Sequence, residues 1–402
     1  MKFIHTADFH LDFIPKGIIG PKFDEHRRQD FIRNLDTITN TALEEDVDLF
    51  IIAGDVFHSP RPRNTTLVEF SRRIGKLINN GIPILIVGGN HDIPKTLQSK
   101  NPLNAFNEFG IKNFVYRDKT SSLLLKTRGG ETVGVVFAPY LDPSKIRAVE
   151  KASIEDYPKI IIRKIKRSFN EISQADIKIL IAHLFIRGAK ASSAWKIYLR
   201  DVLIDINSID LGFDYIALGH VHKPQKIKEN AFYPGSIERL TFAEENEDKF
   251  FIIGEIENGR VKVEWRKLDC RPMKTIGIID IRGSSSPYSD IINEIDSVKI
   301  EEGSILRIQV IADKNSWNSF RNRFAEFEKH LFEDLKVLGY KLEKKIELKK
   351  GKYQYEAKGK GLKELFEDYI EKTFVMSSEA AKKIAKELGI KMIEKALEEG
   401  LV

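Results

Sequence analysis

The chain has 402 residues, with 65 lysines and arginines against 59 aspartates and glutamates, and a formal net charge of +6. A hydrophobic content of 42% supports packed cores and excludes a largely disordered chain. The single cysteine, Cys270, excludes an internal disulfide and a cysteine-rich zinc module. No apolar run approaches the roughly 18–20 residues that cross a bilayer, and the N-terminal residues are too polar for a signal peptide. We expect a soluble, cytoplasmic protein of two to three domains with no membrane association.

The first two thirds of the sequence alternate apolar strands with amphipathic helices. Near-continuous apolar strands separated by such helices are typical of an α/β sheet covered on both faces. Strands are predicted at 2–6, 47–53, 82–87, 132–138, 177–182 and 214–218, with a closing hairpin at 250–265. Helices are predicted at 24–45, from an N-cap at Asn64 to residue 80, and at 157–173.

The last third predicts a smaller α+β unit and a helical tail. Cys270, Arg271 and Pro272 mark the boundary, followed by strands at 275–281 and 304–312 and a helix at 317–335. Residues 349–360 are polar and predict a linker. Helices are then predicted at 362–374, at 379–388 after capping serines 377 and 378, and at 392–399, with Gly389 as the stop between the last two.

Potential metal-binding residues follow five of the predicted strands. Six of the nine histidines fall in these segments. Because the carboxyl ends of strands in an open α/β sheet collect functional loops, we expect these side chains to meet at one edge. In chain order the segments are Asp8-Phe9-His10, Gly54-Asp55-Val56-Phe57-His58, Gly88-Gly89-Asn90-His91-Asp92, the single His183, and Gly219-His220-Val221-His222.

The residue types suit two divalent metal ions. Carboxylates and an amide oxygen combined with imidazoles favour manganese, iron or zinc over calcium or magnesium, and the absence of thiolates argues against a structural zinc site. Two ions about 3.5–4 Å apart need a bridging anion, and Asp55 is the natural choice. His91 could protonate a leaving oxygen, and Asp92 or His58 could orient His91 or contact a phosphate.

Each segment alone also has an ordinary structural explanation. Asp-X-His and Gly-Asp are common in turns, Asn90 could occupy a left-handed turn, and His183 could be a core histidine. The five segments occur together at the expected strand ends, and this joint pattern favours the metal site. His5, His26 and His330 lack such neighbours and are predicted to be structural.

Two levels of family resemblance rest on these segments. DFH, GDVFH, GNHD, IAHLFIRGA and GHVH together resemble the calcineurin-like metallophosphoesterase superfamily over roughly residues 1–265, which implies a four-layer α/β sandwich. The longer segments IHTADFHLD, GDVFHSPRP, GFDYIALGHVHKPQ and FYPGSIERLTFAE resemble the SbcD/Mre-type nucleases of DNA double-strand-break repair.

The nuclease resemblance implies a ligand set and an activity. The activity is manganese-dependent 3′-to-5′ exonuclease action on duplex DNA and endonuclease action on single strands, with two Mn²⁺ per subunit. His91 matches the catalytic histidine and His58 a second histidine that places the scissile phosphate. The first ion would be held by Asp8, His10, Asp55 and His222, and the second by Asp55, Asn90, His183 and His220.

The resemblance also assigns the rest of the chain. Residues 1–270 would be the nuclease domain, 271–350 a DNA-capping domain, and 351–402 a linker and helical segment that binds a coiled-coil ABC ATPase of the SbcC/Rad type. A homodimer through helices of the nuclease domain is expected. The apolar face Leu67–Leu77 could serve, although that stripe is explained more simply as core.

The DNA contacts are predicted less sharply. Arginine and lysine bind phosphates whatever the base sequence, and a solvated surface charge is an equally good explanation of each candidate. The candidates are Arg61, Arg63, Arg187, Lys190 and Lys196.

Two other functions remain open. One is a metallophosphodiesterase for small substrates on the same fold, which would need neither a capping domain nor a helical tail. The other is a DNA-end-binding scaffold whose catalysis is incidental to its ATPase partner. The presence of every expected metal ligand and of His91 argues against this scaffold function.

Overall fold

A computed structural model describes residues 1–94, 99–143, 153–191, 202–346, 361–373 and 379–398. The predicted linker at 349–360, the predicted capping serines 377 and 378, and the DNA-contact candidate Lys196 lie outside these ranges.

The described strands are numbered in chain order. They are β1 Lys2–Thr6, β2 Leu49–Ile52, β3 Ile84–Val87, β4 Phe114–Arg117, β5 Ser121–Lys126, β6 Thr132–Ala138, β7 Ile177–His183, β8 Phe185–Ile186, β9 Leu203–Ile204, β10 Tyr215–Gly219, β11 Gln225–Lys228, β12 Ala231–Tyr233, β13 Phe250–Glu257, β14 Arg260–Lys267, β15 Met273–Asp280, β16 Ile305–Ala312 and β17 Gly339–Ile346.

The described α-helices are numbered in the same way. They are α1 Phe23–Glu44, α2 Asn64–Asn79, α3 Leu103–Glu108, α4 Tyr157–Glu171, α5 Ile206–Ile209, α6 Pro287–Asp296, α7 Lys314–Arg321, α8 Phe324–Lys329, α9 Leu362–Thr373 and α10 Glu379–Glu398.

Two six-stranded sheets form the body of the protein, in the orders β14-β13-β1-β2-β3-β4 and β11-β12-β10-β7-β6-β5. Strands β1 to β4 are parallel, as are β6, β7, β10 and β12. The facing sides of the two sheets share one apolar core, in which Phe3 and Ile51 pack with Val135 and Ile179. Burial on both faces explains why these strands are almost continuously apolar.

Helices cover the two outer faces. On the first sheet, α1 and α2 contribute Leu35 and Ile74 to a core shared with Phe50. On the second sheet, α4 contributes Ile165 to a core shared with Leu180. The resulting order is helix, sheet, sheet, helix, which confirms the expected four-layer sandwich.

The small unit after residue 272 has its own sheet and core. Its strands run β15-β16-β17, all parallel, and the helices lie in the connections between them. Ile276, Ile291, Leu306 and Phe320 belong to its apolar cluster. The prediction missed α6, which begins at Pro287, and β17, whose second half is polar and mostly exposed.

The predicted single helix at 317–335 is wrong. The chain forms α7, then α8, then a π-helical turn at His330–Asp334. Asp313 begins α7 earlier than predicted, because its carboxylate accepts hydrogen bonds from the backbone N–H groups of Asn315 and Ser316 at 2.9 and 3.0 Å. The break after α7 contains neither proline nor glycine, so the sequence has no signal for it.

Two other predicted helix ends differ. Asn64 is the first residue of α2 rather than its cap, and Asp12 accepts the Arg63 N–H at 2.7 Å beside that helix start. Gly389 lies inside the continuous α10 and does not stop it. A Cβ there would come within 2.2 Å of the Phe366 ring, so this glycine lets α9 and α10 pack closely.

Contacts of three kinds join the small unit and its boundary to the sandwich. Ile19 and Tyr340 exchange backbone hydrogen bonds, both at 2.9 Å. Arg271 donates two hydrogen bonds of 2.5 Å to the buried Asp30 of α1. Phe23 and Phe242 from the sandwich pack with Met273 and Ile305. The small unit is therefore held against the sandwich by backbone, ionic and apolar contacts.

Among the helices of the described ranges, none combines the length and the apolar character that a bilayer span requires.

The close approach of the two sheets yields the first prediction. A Cβ at Gly219 would lie 1.8 Å from the Ala53 carbonyl oxygen, across the junction of the two sheets. Because a backbone carbonyl cannot swing aside, Gly219→Ala should destabilise the fold by about 3 kcal/mol, measured by urea unfolding.

The matched control is the same substitution at Gly75 in α2, where nothing lies within 4 Å of the added carbon. Gly75→Ala should leave stability unchanged or raise it by up to about 1 kcal/mol. Equal stabilities for the two variants would contradict the proposed junction.

Candidate metal centre

The five predicted segments meet where the carboxyl ends of β1, β2, β3, β7 and β10 converge. Backbone hydrogen bonds join the first two loops, with the Asp8 N–H donating to Gly54 O and the His10 N–H to Asp55 O, both at 3.0 Å. The N–H of His220 donates to both carboxylate oxygens of Asp8 at 3.1 and 3.0 Å, which brings in the loop after β10. The two sheets therefore both contribute to one site.

The first group of ligands is fully buried. The metal-binding atoms of Asp8, His10 and His222 all lie within 4.8 Å of one another, and none of the three side chains is more than 3% exposed. The Nε2 atoms of His10 and His222 are 3.0 Å apart. The structure thus brings together three of the four residues predicted to hold the first ion, the fourth being Asp55.

The second group surrounds Asn90. Its Oδ1 lies 3.0 Å from His183 Nε2 and 3.0 Å from His220 Nδ1. His183 Nδ1 is 2.7 Å from the Ala53 carbonyl oxygen, which can only accept, so Nδ1 carries the proton and Nε2 presents its lone pair to the site. Asp8 also lies within 4.8 Å of the ligand atoms of Asp55 and His183, so it stands nearer the second group than we predicted.

Asp55 lies between the two groups. Its Oδ2 is 3.5 Å from His10 Nε2 and 3.6 Å from His183 Nε2, while its Oδ1 accepts the His91 N–H at 2.8 Å. One carboxylate oxygen is thus almost equidistant from a histidine of each group. This is the position that a bridging ligand requires.

The spacing of the donor atoms fits metal ions. A metal–nitrogen bond of about 2.1 Å at right angles to its neighbour places the two donor atoms about 3 Å apart. The His10–His222 pair and both Asn90 pairs have this separation. Two imidazole nitrogens that face each other at 3.0 Å need a proton or a cation between them.

Several ligands have strained backbones. Asp8, His10, Asp55 and His220 have φ angles of 53°, 44°, 53° and 101°, in the left-handed region that non-glycine residues avoid. Each such residue costs roughly 1–3 kcal/mol. The strain is confined to turns that aim side chains into the site.

The electrostatics of the buried ligands suit cations. Burial, reinforced by the Asp92 and Asp8 carboxylates, raises the pKa of Asp55 well above its ordinary value. Burial and the neighbouring histidines hold the pKa of His10 and of His183 well below the ordinary value. The imidazoles of His10 and His183 therefore favour the neutral form that a metal ligand needs, and a divalent cation would favour ionisation of the carboxylates.

His91 and His58 stack beside the first group. Their ring centroids are 4.7 Å apart at 28°, and His58 Nδ1 lies 3.3 Å from His10 Nδ1. His91 Nδ1 is 3.0 Å from the His58 carbonyl oxygen, so it carries a proton and leaves Nε2 for exchange with a substrate. The two predicted catalytic histidines thus lie together at the edge of the ligand set.

The Asp92 carboxylate supports two loops of the site. This buried group accepts backbone N–H groups of Gly89, Val56 and Phe57 at 3.1–3.3 Å. Burial raises its pKa to about 6 even though these hydrogen bonds oppose the shift. These hydrogen bonds join the Asp55 and Asn90 loops, and the roles suggested for Asp92, orienting His91 or contacting phosphate, stay predictions.

Three supporting residues were missed by the sequence analysis. Asp12 has φ 76° and joins the first loop to the start of α2, through hydrogen bonds from the Arg63 N–H and the Thr66 hydroxyl. Glu244 and Lys249 form a buried ion pair behind His222. Asp12 and Glu244 end the segments IHTADFHLD and FYPGSIERLTFAE, which were the available signal.

The four DNA-contact candidates within the described ranges are exposed and lie outside the ligand set. Arg61 and Arg63 follow His58 in the loop before α2, and Arg187 and Lys190 follow β8. Their placement is compatible with phosphate contacts and equally with solvated charges, so they remain predictions.

The three histidines predicted to be structural are placed outside the site. His5 is buried in β1 with Nδ1 2.9 Å from the Tyr215 hydroxyl, and His26 is exposed on α1. His330 lies between Asp296 and Asp334, at 2.8 and 3.0 Å.

Comparison with known proteins identifies the family. The sequence profile of the calcineurin-like phosphoesterases matches residues 1–224, more than half of the chain. The chain belongs to this family, whose members are phosphoester hydrolases. A crystal structure of a dimetal phosphatase from Danio rerio aligns over 66% of this chain and 96% of that one, at a TM-score of 0.39 and 11% identity, and adds nothing to the assignment.

His5 gives a pH prediction that does not depend on metal. Burial lowers its pKa to about 3, against 6.5 in the unfolded chain, with a backbone hydrogen bond opposing the shift in part. Its contribution to stability is complete above pH 6.5 and is lost as the pH falls, by about 1.4 kcal/mol per pH unit. In chelator-treated protein, His5→Gln should therefore reduce the slope of unfolding free energy between pH 6 and 4 by that amount.

His26→Gln, at an exposed position, is the control and should leave this slope unchanged. If the slope in the His5 variant equals that of the wild type, protonation of the His5 imidazole does not destabilise the fold, and the prediction is wrong.

Proposed function

We propose that this chain is the nuclease subunit of a DNA double-strand-break repair complex. Its reactions would be manganese-dependent 3′-to-5′ degradation of duplex DNA and endonucleolytic cleavage of single strands. The observation that carries the proposal is the placement of His58 and His91 beside a ligand set with Asp55 at its centre, next to a cationic cleft that the small unit helps to form.

The ligand set would hold two divalent ions. Asp8, His10 and His222 would bind the first, Asn90, His183 and His220 the second, and Asp55 both. When bound, such a pair polarises a phosphodiester, activates a water nucleophile and stabilises the attacking and leaving oxygens. Mixed oxygen and nitrogen donors without thiolates suit manganese, iron or zinc, and the resemblance to the SbcD/Mre-type nucleases favours manganese among them.

The proton for the leaving oxygen would come from His91. Its Nδ1–H is held by the His58 carbonyl oxygen, which fixes the ring and turns Nε2 outward. His58 stacks on this ring at 4.7 Å and would help to place the scissile phosphate. Proton transfer by a positioned histidine typically contributes 10²–10⁴-fold to a rate.

The cleft beside these histidines favours a polynucleotide over a small diester. Phe13 packs edge-on against His58 at 4.7 Å and also lines a cleft of about 420 Å³ between the sandwich and the small unit. Lys16, Arg307 and Lys341 line the same cleft. Cations from both units, next to the reacting groups, suit a phosphate backbone that extends beyond the cleaved bond.

The helical tail would bind the ATPase. Helices α9 and α10 form a hairpin joined by ion pairs such as Lys363–Glu394 at 2.7 Å. Ile384, Leu388 and Met392 are 58%, 58% and 73% exposed. Their spacing of four residues places them on one face of α10, as in a helix that lies in an apolar groove of a partner.

The homodimer remains a prediction. Phe70, Ile74 and Leu77 of the Leu67–Leu77 face are buried against the first sheet, so this stripe is core. A dimer contact through these helices would therefore use other residues.

The nuclease proposal is tested with end-labelled duplex DNA and Mn²⁺. Because His91 supplies the leaving-group proton, His91→Asn should lower cleavage by 10²–10⁴-fold, and EDTA should abolish it. His26→Asn, the same change at an exposed histidine, should cleave at the wild-type rate.

Three outcomes would count against the proposal. Unchanged cleavage by His91→Asn would contradict the role of that residue. Hydrolysis of bis(p-nitrophenyl) phosphate without cleavage of any DNA would favour a small-substrate phosphodiesterase. Tight binding of DNA ends without hydrolysis of either substrate would favour a scaffold.

The tail proposal is tested by co-purification with the ATPase. The double variant Ile384→Glu, Leu388→Glu should lose the partner and retain Mn²⁺-dependent nuclease activity, because the exposed apolar face is removed far from the metal ligands in sequence. Lys383→Glu and Glu387→Lys, at exposed neighbouring positions, should retain the partner. Binding by a chain truncated before residue 361 would contradict this assignment.

A further inference from the structure

A buried ion pair lies behind His222. The Lys249 Nζ is 2.7 Å from Glu244 Oε2, and neither side chain is exposed to solvent. The other carboxylate oxygen of Glu244 lies 3.5 Å from His222 Nδ1. The Lys249 Nζ also donates to the His222 carbonyl oxygen at 3.1 Å. The pair therefore contacts both the ring and the backbone of one residue.

Burial of this ion pair is not explained by a gain in stability. Removing two charges from water is costly, and well-packed apolar residues of similar volume often stabilise a fold as much or more. Both charges have further partners, because Glu244 Oε2 accepts the Leu240 N–H at 3.2 Å and Lys249 Nζ donates to Glu247 Oε2 at 3.3 Å. Each charge is held by several partners, so the pair is rigid enough to hold a third side chain in position.

The orientation of His222 identifies that group. With Nδ1 directed to Glu244, its Nε2 is directed to His10 Nε2 at 3.0 Å, into the first ligand group. A carboxylate on the outer nitrogen of an imidazole fixes its tautomer and raises its basicity toward a metal.

The two ligand groups differ in this respect. His183 of the second group has a neutral carbonyl, Ala53 O, on its outer nitrogen, whereas His222 of the first has a carboxylate. A carboxylate makes the imidazole a stronger electron donor than a carbonyl does.

We propose that Glu244 and Lys249 are positioning residues for the first metal position, and that their ion pair makes this position the tighter of the two. Lys249 anchors the carboxylate and the His222 backbone together, and Glu244 holds the ring with Nε2 toward the ion. The inference rests on the two-metal centre of the proposed function and adds an order of occupancy to it.

The test is a Mn²⁺ titration of chelator-treated full-length protein, with free Mn²⁺ measured by electron paramagnetic resonance. The wild type should bind two ions per chain. Glu244→Gln with Lys249→Met removes both charges, keeps similar shapes and leaves no unpaired buried ion. This variant should bind the ion at the first position 10–100-fold more weakly and retain the second, since outer partners of metal-binding histidines have effects of that size.

The matched control removes another ion pair, with a fully buried carboxylate and a partly buried arginine, that lies outside the ligand set. Asp30→Asn with Arg271→Gln does so, because Arg271 binds Asp30 through two hydrogen bonds of 2.5 Å. Both Mn²⁺ affinities should stay within about twofold of wild type in this control, even if its melting temperature falls as far as that of the Glu244 variant. A crystal of the Glu244 variant with one equivalent of Mn²⁺ should show anomalous density beside Asn90 and His183 only.

Wild-type Mn²⁺ affinities in the Glu244 variant would overturn the inference. The inference would also be overturned if the wild type bound fewer than two ions, or if the control variant lost Mn²⁺ affinity to the same extent. If the double variant does not fold, Glu244→Gln alone is titrated under the same criteria. The titration contains no DNA, so a chain that behaves as described yet cleaves no DNA would contradict the proposed function and leave this inference intact.

Discussion

The position of one carboxylate organises the site. Asp55 Oδ2 lies within 3.6 Å of a histidine from each ligand group, its Oδ1 accepts the His91 N–H, and its backbone carbonyl accepts the His10 N–H. Four of the five loops therefore depend on a single residue with a left-handed backbone. Because the carboxylate is buried, its charge is tolerated only where cations or several donors surround it.

The rest of the fold keeps that residue in place. Parallel strands from two packed sheets end at the same edge, so the loops need only short turns to bring their ligands together. Asp92 joins the Asp55 and Asn90 loops through three backbone hydrogen bonds, and Gly219 lets the second sheet approach the first. The strain at Asp8, His10, Asp55 and His220 is offset by this surrounding structure and by the burial of the sandwich cores.

The sequence predicted that the candidate ligands would meet at one edge, and the structure brings them together there, because their placement depends on local pattern. A strand end followed by Asp55 or His183 is visible in the chain, and parallel topology turns such positions into neighbours. The functions of Asp92 and Glu244 were less visible, because a carboxylate that supports a loop has the same sequence signature as one that binds substrate. Gly389 was misread for a related reason: a glycine that admits the Phe366 ring resembles one that ends a helix. The sequence of the polar strand β17 has little of the apolar pattern from which a strand is predicted.

The bridging position of Asp55 is tested most directly by crystals of the Mn²⁺-loaded protein, with the ions located by anomalous scattering. The account predicts two ions about 3.5–4 Å apart, both coordinated by Asp55, with His10 and His222 on one and Asn90, His183 and His220 on the other. A single ion, or two ions of which only one contacts Asp55, would contradict it.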